Sequence, residues 1–140
     1  MNPPPLIVVA EDNATDVFLV RSALEQESID CQLHVVSDGE QAVRFLEEVE
    51  VNAAPCPDLL LLDVNLPRIG GWEILERLRK STKCSSLPVV VMTSSNSPDD
   101  KQRAKRLALA HCFIKRADLQ EFMKLGAVVR EVLRKQNLVP

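Results

Sequence analysis

A chain of 140 residues has room for one ordinary domain with a real core and too little for two. Hydrophobic residues at 46% and charged residues at 26% are globular averages, which excludes a disordered or fibrous chain, and no apolar run approaches the roughly 20 residues of a membrane-spanning helix. Net charge is −3, but residues 1–96 carry 7 Lys/Arg against 15 Asp/Glu while residues 97–140 carry 10 against 5; the acids interleaved in that basic third and its scarce aromatic residues argue for a solvated or protein-docking face over a nucleic-acid one.

Met1-Asn2-Pro3-Pro4-Pro5 has no basic flank and no long apolar run, so no secretory signal is visible and a cytosolic location is expected. Leu6 to Ala10 is apolar and rich in β-branched residues, which predicts a buried strand closed by Glu11, Asp12 and Asn13. Val17, Val20 and Leu24, with Phe18 beside them, give a helical stripe from Ala14 to about Ser28. Cys31 to Val36 alternates as a second strand. Ser37-Asp38-Gly39 is a turn suited to cap a helix carrying Ala42, Val43, Phe45, Leu46 and Val49 to about Glu50.

A loop from Val51 to Pro57 precedes a third strand, Asp58 to Asp63, whose consecutive Leu59, Leu60, Leu61 and Leu62 read as buried on both faces. Pro67 to Gly71 turns into a helix built on Trp72, Ile74, Leu75 and Leu78. Its basic end, Arg77, Arg79, Lys80 and Lys83, suits the negative pole of a helix dipole. Leu87 to Met92 is a fourth strand, with Pro88 near its start where proline is tolerated. Asn96-Ser97-Pro98 opens a helix to about Leu109, and His111 to Lys115 is a short fifth strand.

Asp118 and Glu121 have capping-box spacing for a last helix that runs to about Gln136. Leu119, Phe122, Gly126, Val129 and Leu133 repeat along it, and Leu125, Val128 and Val132 widen the apolar face enough to offer a homodimer surface. Gly126 fits either close packing or simple tolerance. Cys31, Cys56, Cys84 and Cys112 show no metal or redox spacing and are expected to be reduced.

The pattern is (βα)5, an α/β fold with a doubly wound, all-parallel five-stranded sheet. The natural strand order is 2-1-3-4-5, flavodoxin-like, with strands one and three side by side at the switch point where ligands bind. Five functional groups then fall on one rim: Glu11 and Asp12 after strand one, Asp63 after strand three, Thr93 after strand four and Lys115 after strand five. Each alone has an ordinary explanation as a cap, a turn or a surface charge. Together, hard carboxylate oxygens suit Mg²⁺, a lysine and a hydroxyl opposite them suit a phosphoryl group, and an Asp carboxylate can itself be the acceptor. Glycine-rich phosphate loops are absent.

Val9-Ala10-Glu11-Asp12-Asn13, Leu62-Asp63-Val64-Asn65-Leu66-Pro67, Gly71, Met92-Thr93-Ser94 and Phe113-Ile114-Lys115 together resemble the receiver domain of bacterial two-component response regulators, over essentially the whole chain. The resemblance implies that Asp63 accepts a phosphoryl group from a sensor histidine kinase. It implies that Glu11, Asp12, Asp63 and the backbone carbonyl of Asn65 hold Mg²⁺, and that Asn65, Thr93, Ser94 and Lys115 surround the phosphoryl group. Movement of Thr93 would shift the face of the fourth helix, fifth strand and last helix, with Thr93, Cys112 and Phe113 as switch positions. Because the chain ends soon after the last helix, it looks like a single-domain regulator, with a tail at 1–5 and a core over about 6–136, similar to those serving phytochrome-type kinases. Such a module is a phosphoacceptor rather than an enzyme with free substrates, and no nucleic-acid or membrane partner is expected.

Two departures stand out. Arg116 follows Lys115 where the family usually has proline, so a trans bond is expected, a cis bond to a non-proline costing about 2.5–4 kcal/mol. Cys112 stands where the family tends to place Tyr or Phe. A phosphorylation-independent interaction module, its switch uncoupled by these departures, is the alternative; a Mg²⁺-dependent phosphohydrolase is a further rival that lacks a second acid beside Asp63.

Overall fold

The computed structural model describes residues 3–94 and 97–140, over which strands and helices alternate. The elements are β1 (Leu6–Ala10), α1 (Ala14–Gln26), β2 (Gln32–Val36), α2 (Gly39–Glu50), β3 (Leu59–Asp63), α3 (Gly71–Arg79), β4 (Val89–Thr93), α4 (Pro98–Arg106), β5 (His111–Ile114), α5 (Leu119–Met123) and α6 (Leu125–Lys135). All pairings are parallel, in the expected order β2-β1-β3-β4-β5. Among the described residues no helix is long and apolar enough to cross a membrane.

Side chains alternate across a strand, and the central strands feed two cores. Val8, Ala10, Leu60, Leu62, Val89 and Val91 face α2 and α3, while Ile7, Val9, Leu59, Leu61, Val90 and Met92 face α1, α5 and α6. Every residue of β3 and β4 is buried, as a sheet covered on both faces requires.

Several boundaries differ from expectation. The last helix is interrupted at Lys124, which caps α5 and precedes α6. Helix α4 stops at Arg106, short of Leu109, because Ala108 adopts a left-handed conformation with φ 54°. The Ala108 and Leu109 amides then bond back to Lys105 and Ala104, a Schellman-type end. Ser97 caps α4 by accepting the Asp100 amide at 3.1 Å, and Asn96 lies outside the described residues.

Side-chain expectations are corrected at five places. Phe18 is 65% exposed, rotated off the stripe that buries Val20, Ala23 and Leu24. Leu119 is also exposed, whereas Leu125, taken as extra width on the last helix, is fully buried in the protein's own core. Arg79 does more than offset a dipole: its guanidinium donates to the carbonyls of Leu107, Leu87, Ala108 and Ser85, tying the α4–β5 turn to the β4 entry. Cys56 and Cys84 are bonded as a disulfide, with Cα atoms 6.1 Å apart, and only Cys31 and Cys112 are free. That bridge joins the β3 entry to the α3–β4 loop, beside Glu50, which accepts hydrogen bonds from Ser81, Thr82 and Lys83 in the same loop.

Gly126 serves close packing. A Cβ there would lie 2.4 Å from the Ala23 carbonyl oxygen and 2.6 Å from Glu27 Cγ, so α6 crosses α1 at backbone contact. Although alanine is the better helix former by about 1 kcal/mol, Gly126→Ala is expected to lower unfolding stability by about 1–3 kcal/mol in urea titrations, because the backbone of α1 must move.

Candidate functional site

The carboxyl ends of β1, β3, β4 and β5 converge, and backbone bonds fix the residues there. Glu11 donates its amide to Val36 O at 3.0 Å, extending the β1–β2 ladder by one residue, and Lys115 donates its amide to Thr93 O at 2.7 Å, doing the same for β4–β5. Val64 bonds Met92 O at 3.1 Å, so Asp63 sits on a ladder still paired beyond it. Gly71 permits this closure: a Cβ there would lie 2.5 Å from the Asp63 carbonyl oxygen. Side chains sprout from these rungs with little freedom.

Asp63 is 3% exposed, Glu11 2% and Thr93 1%, the buried polar and charged residues of the described chain. Asp63 Oδ1 accepts the Asn65 amide at 2.9 Å, while Oδ2 lies 3.2 Å from Lys115 Nζ. Lys115 Nζ also contacts Glu11 Oε1 at 2.9 Å and Asp16 Oδ2 at 2.8 Å. Glu11 Oε2 accepts the Asn13 amide at 3.2 Å. Glu11, Asp12 and Asp63 each offer an oxygen, and these lie within 4.8 Å of one another. Hard oxygens at that spacing, two of them buried, fit a small divalent cation.

Burial, and then the neighbouring Asp63 carboxyl, push Glu11 up to about 7 despite the opposing pull of Lys115. Burial works to lower the Lys115 ammonium's pKa, but its bonds to Asp16 and Glu11 and the charge of Glu11 and Asp63 outweigh it and hold the lysine above its ordinary value. With Glu11 raised from 4.5 to about 7, the folded chain binds more protons than the unfolded chain between those values, so Glu11 contributes stability that is complete below about 4.5 and lost as pH rises through 7. In chelator-treated protein the melting temperature should therefore fall over this window in the wild type, and fall less in Glu11→Gln.

The expected residues are brought together, with distinctions. Glu11, Asp12, Asp63 and Lys115 form one cluster. Asn65 and Ser94 are exposed at its mouth, beside Asp63 and Thr93. Cys112 pairs with Val91 and packs in the α2–α3 core, on the face that alternation gives Thr93. Phe113 lies on the opposite face, 5.9 Å from the Phe122 ring, so the strand's two-residue period separates it from the Thr93 side. The bond after Lys115 is trans, as expected. Asp16 is the residue that sequence reasoning missed: it looks like an ordinary first-turn acid, and only the fold brings it to a lysine 99 positions away.

Residues 7–126 match the response regulator receiver domain family. Response regulator Rcp1 of Synechocystis sp. is 34% identical over 125 residues, 89% of this chain and 85% of that protein. The crystal structure of the Mn²⁺-bound form of Rcp1 superposes with a TM-score of 0.81 at 32% identity, covering 91% of this chain and 93% of that one. The phosphorylated cyanobacterial phytochrome response regulator RcpA superposes with a TM-score of 0.84 at 29% identity, covering 96% of each chain. With the strand order, the acidic trio and the lysine already in place, these likenesses make the chain a member of the receiver domain family of two-component response regulators.

Proposed function

We propose that Asp63 accepts a phosphoryl group from the phosphohistidine of a sensor histidine kinase, with Mg²⁺ as the cation at Glu11, Asp12, Asp63 and the Asn65 carbonyl. The observation that carries this reading is the pairing of a buried carboxylate with a lysine ammonium at 3.2 Å beside two further carboxylates. A carboxylate oxygen of Asp63 attacks phosphorus, an O–P bond forms as the P–N bond to the kinase imidazole breaks, and the imidazole nitrogen keeps the bonding pair and takes a proton from water. Bound Mg²⁺ supplies positive charge against the phosphoryl oxygens. Lys115 meets one oxygen, and the Thr93 hydroxyl, with the exposed Asn65 and Ser94 at the mouth, meets the others.

The output surface in this reading is α4, β5 and α6. Helix α4 has no buried residue, and a groove between it and β5 is lined by Lys101, Lys105, Leu109, Cys112 and Ile114, so movement of Thr93 has a loosely held helix to shift. Likeness to RcpA supports a phytochrome-type kinase as donor. Incubation with acetyl phosphate and Mg²⁺ should add one phosphoryl group that is stable in acid and lost in base. Uptake in excess of one, or a base-stable product, would count against the assignment. Among phosphorylated histidine kinases offered in parallel, a phytochrome-type kinase should transfer fastest.

A further inference from the structure

Lys115 lies one residue beyond β5, on a four-carbon stem whose rotors must be ordered before its charge can serve a reaction. Three carboxylates order it, and they are not equivalent. Glu11 and Asp63 have side chains 0% and 4% exposed and belong to the acidic trio. Asp16 stands outside that trio, on the first turn of α1, with a side chain 23% exposed and the shortest of the three contacts at 2.8 Å.

Its mounting is rigid. Asn13 caps α1 by accepting the Asp16 amide at 3.1 Å, the Asn13 carbonyl takes the Val17 amide at 3.0 Å, and Val20, Ala23 and Leu24 bury the helix against the sheet. When a carboxylate oxygen of Asp63 becomes bonded to phosphorus, that contact with Lys115 is exchanged for the phosphoryl group. Asp16 takes part in no bond change and stays.

We propose that Asp16 is the positioning residue for Lys115, its carboxylate holding the ammonium at the strand ends so that a phosphoryl group arriving on Asp63 meets charge already in place. This rests on Asp63 being the acceptor. The test uses the full chain and two readouts. One is the rate of phosphorylation by acetyl phosphate at saturating Mg²⁺; the other, in metal-free protein, is acetylation of the Lys115 amine by acetic anhydride, read by peptide mass. Asp16→Ala is expected to slow phosphorylation roughly tenfold and to raise Lys115 acetylation several-fold. Asp16→Glu, which keeps the charge on a longer stem, should return both to within about twofold of wild type.

Unchanged rate and acetylation in Asp16→Ala overturn the proposal. So does a slower rate with unchanged acetylation, or a failure of Asp16→Glu to restore either at an equal melting temperature. A wild-type chain that takes no phosphoryl group on Asp63 removes the reading beneath, and the acetylation arm, which needs no phosphoryl transfer, still decides whether Asp16 holds Lys115.

Discussion

Asp63→Asn is expected to abolish phosphoryl uptake from acetyl phosphate or a phosphorylated kinase while leaving the fold intact. The amide is nearly isosteric and its oxygen can still accept the Asn65 amide that Asp63 Oδ1 accepts at 2.9 Å. It also lowers the negative charge packed around Glu11, which burial and Asp63 push up to about 7. The variant should thus be at least as stable as wild type in metal-free buffer, where three carboxylates crowd one rim, and inert as an acceptor because an amide oxygen is a poor nucleophile. Uptake that persists at a comparable rate would move the acceptor to another residue.

Lys115→Met should produce the second large effect. Methionine keeps the unbranched apolar stem but leaves Glu11, Asp63 and Asp16 without the ammonium they share at 2.9, 3.2 and 2.8 Å. Breaking a buried pair by removing one partner strands the other charge, so metal-free stability near pH 8 should fall by about 2–4 kcal/mol. The loss should shrink toward pH 5, because Glu11, already raised to about 7 beside the lysine, escapes by taking a proton. Mg²⁺ should stabilise the variant more than the wild type, since the cation replaces a missing charge. Phosphorylation should slow by about a hundredfold, the usual cost of deleting one group aimed at developing charge. Urea titrations with and without chelator, beside phosphorylation time courses, check all three.

Much of this was legible because it depends on local pattern. Leu59 to Leu62 and Val89 to Met92 are continuous apolar runs, and burial on both faces is what such runs mean. Five strands alternating with helical stripes leave few topologies, and strand order puts Glu11, Asp12, Asp63, Thr93 and Lys115 on one rim without any knowledge of contacts.

What was not legible depends on partners distant in sequence or on signals the chain does not use. Ser28, Asn52, Ala108 and Asn137 supply the left-handed residue just past α1, α2, α4 and α6, with φ from 54° to 61°, so no glycine announces those ends. Arg79 sits in a basic run that resembles dipole compensation, and only folding brings the Leu107 and Ala108 carbonyls to it. The Cys56–Cys84 bridge spans 28 residues with no motif. Asp16 has the weakest signature of all, an acid in a helix's first turn, where acids are common for reasons of dipole alone.

In this reading the carboxylate of Asp63 carries the phosphoryl group, as an acyl phosphate. Borohydride reduces an acyl phosphate to an alcohol, so phosphorylating the chain with acetyl phosphate and Mg²⁺, reducing it and mapping peptides by mass should find homoserine in place of Asp63 and at no other aspartate. Homoserine at Asp12 or Asp16, or an unreduced Asp63 in a chain that has taken up phosphate, would contradict it.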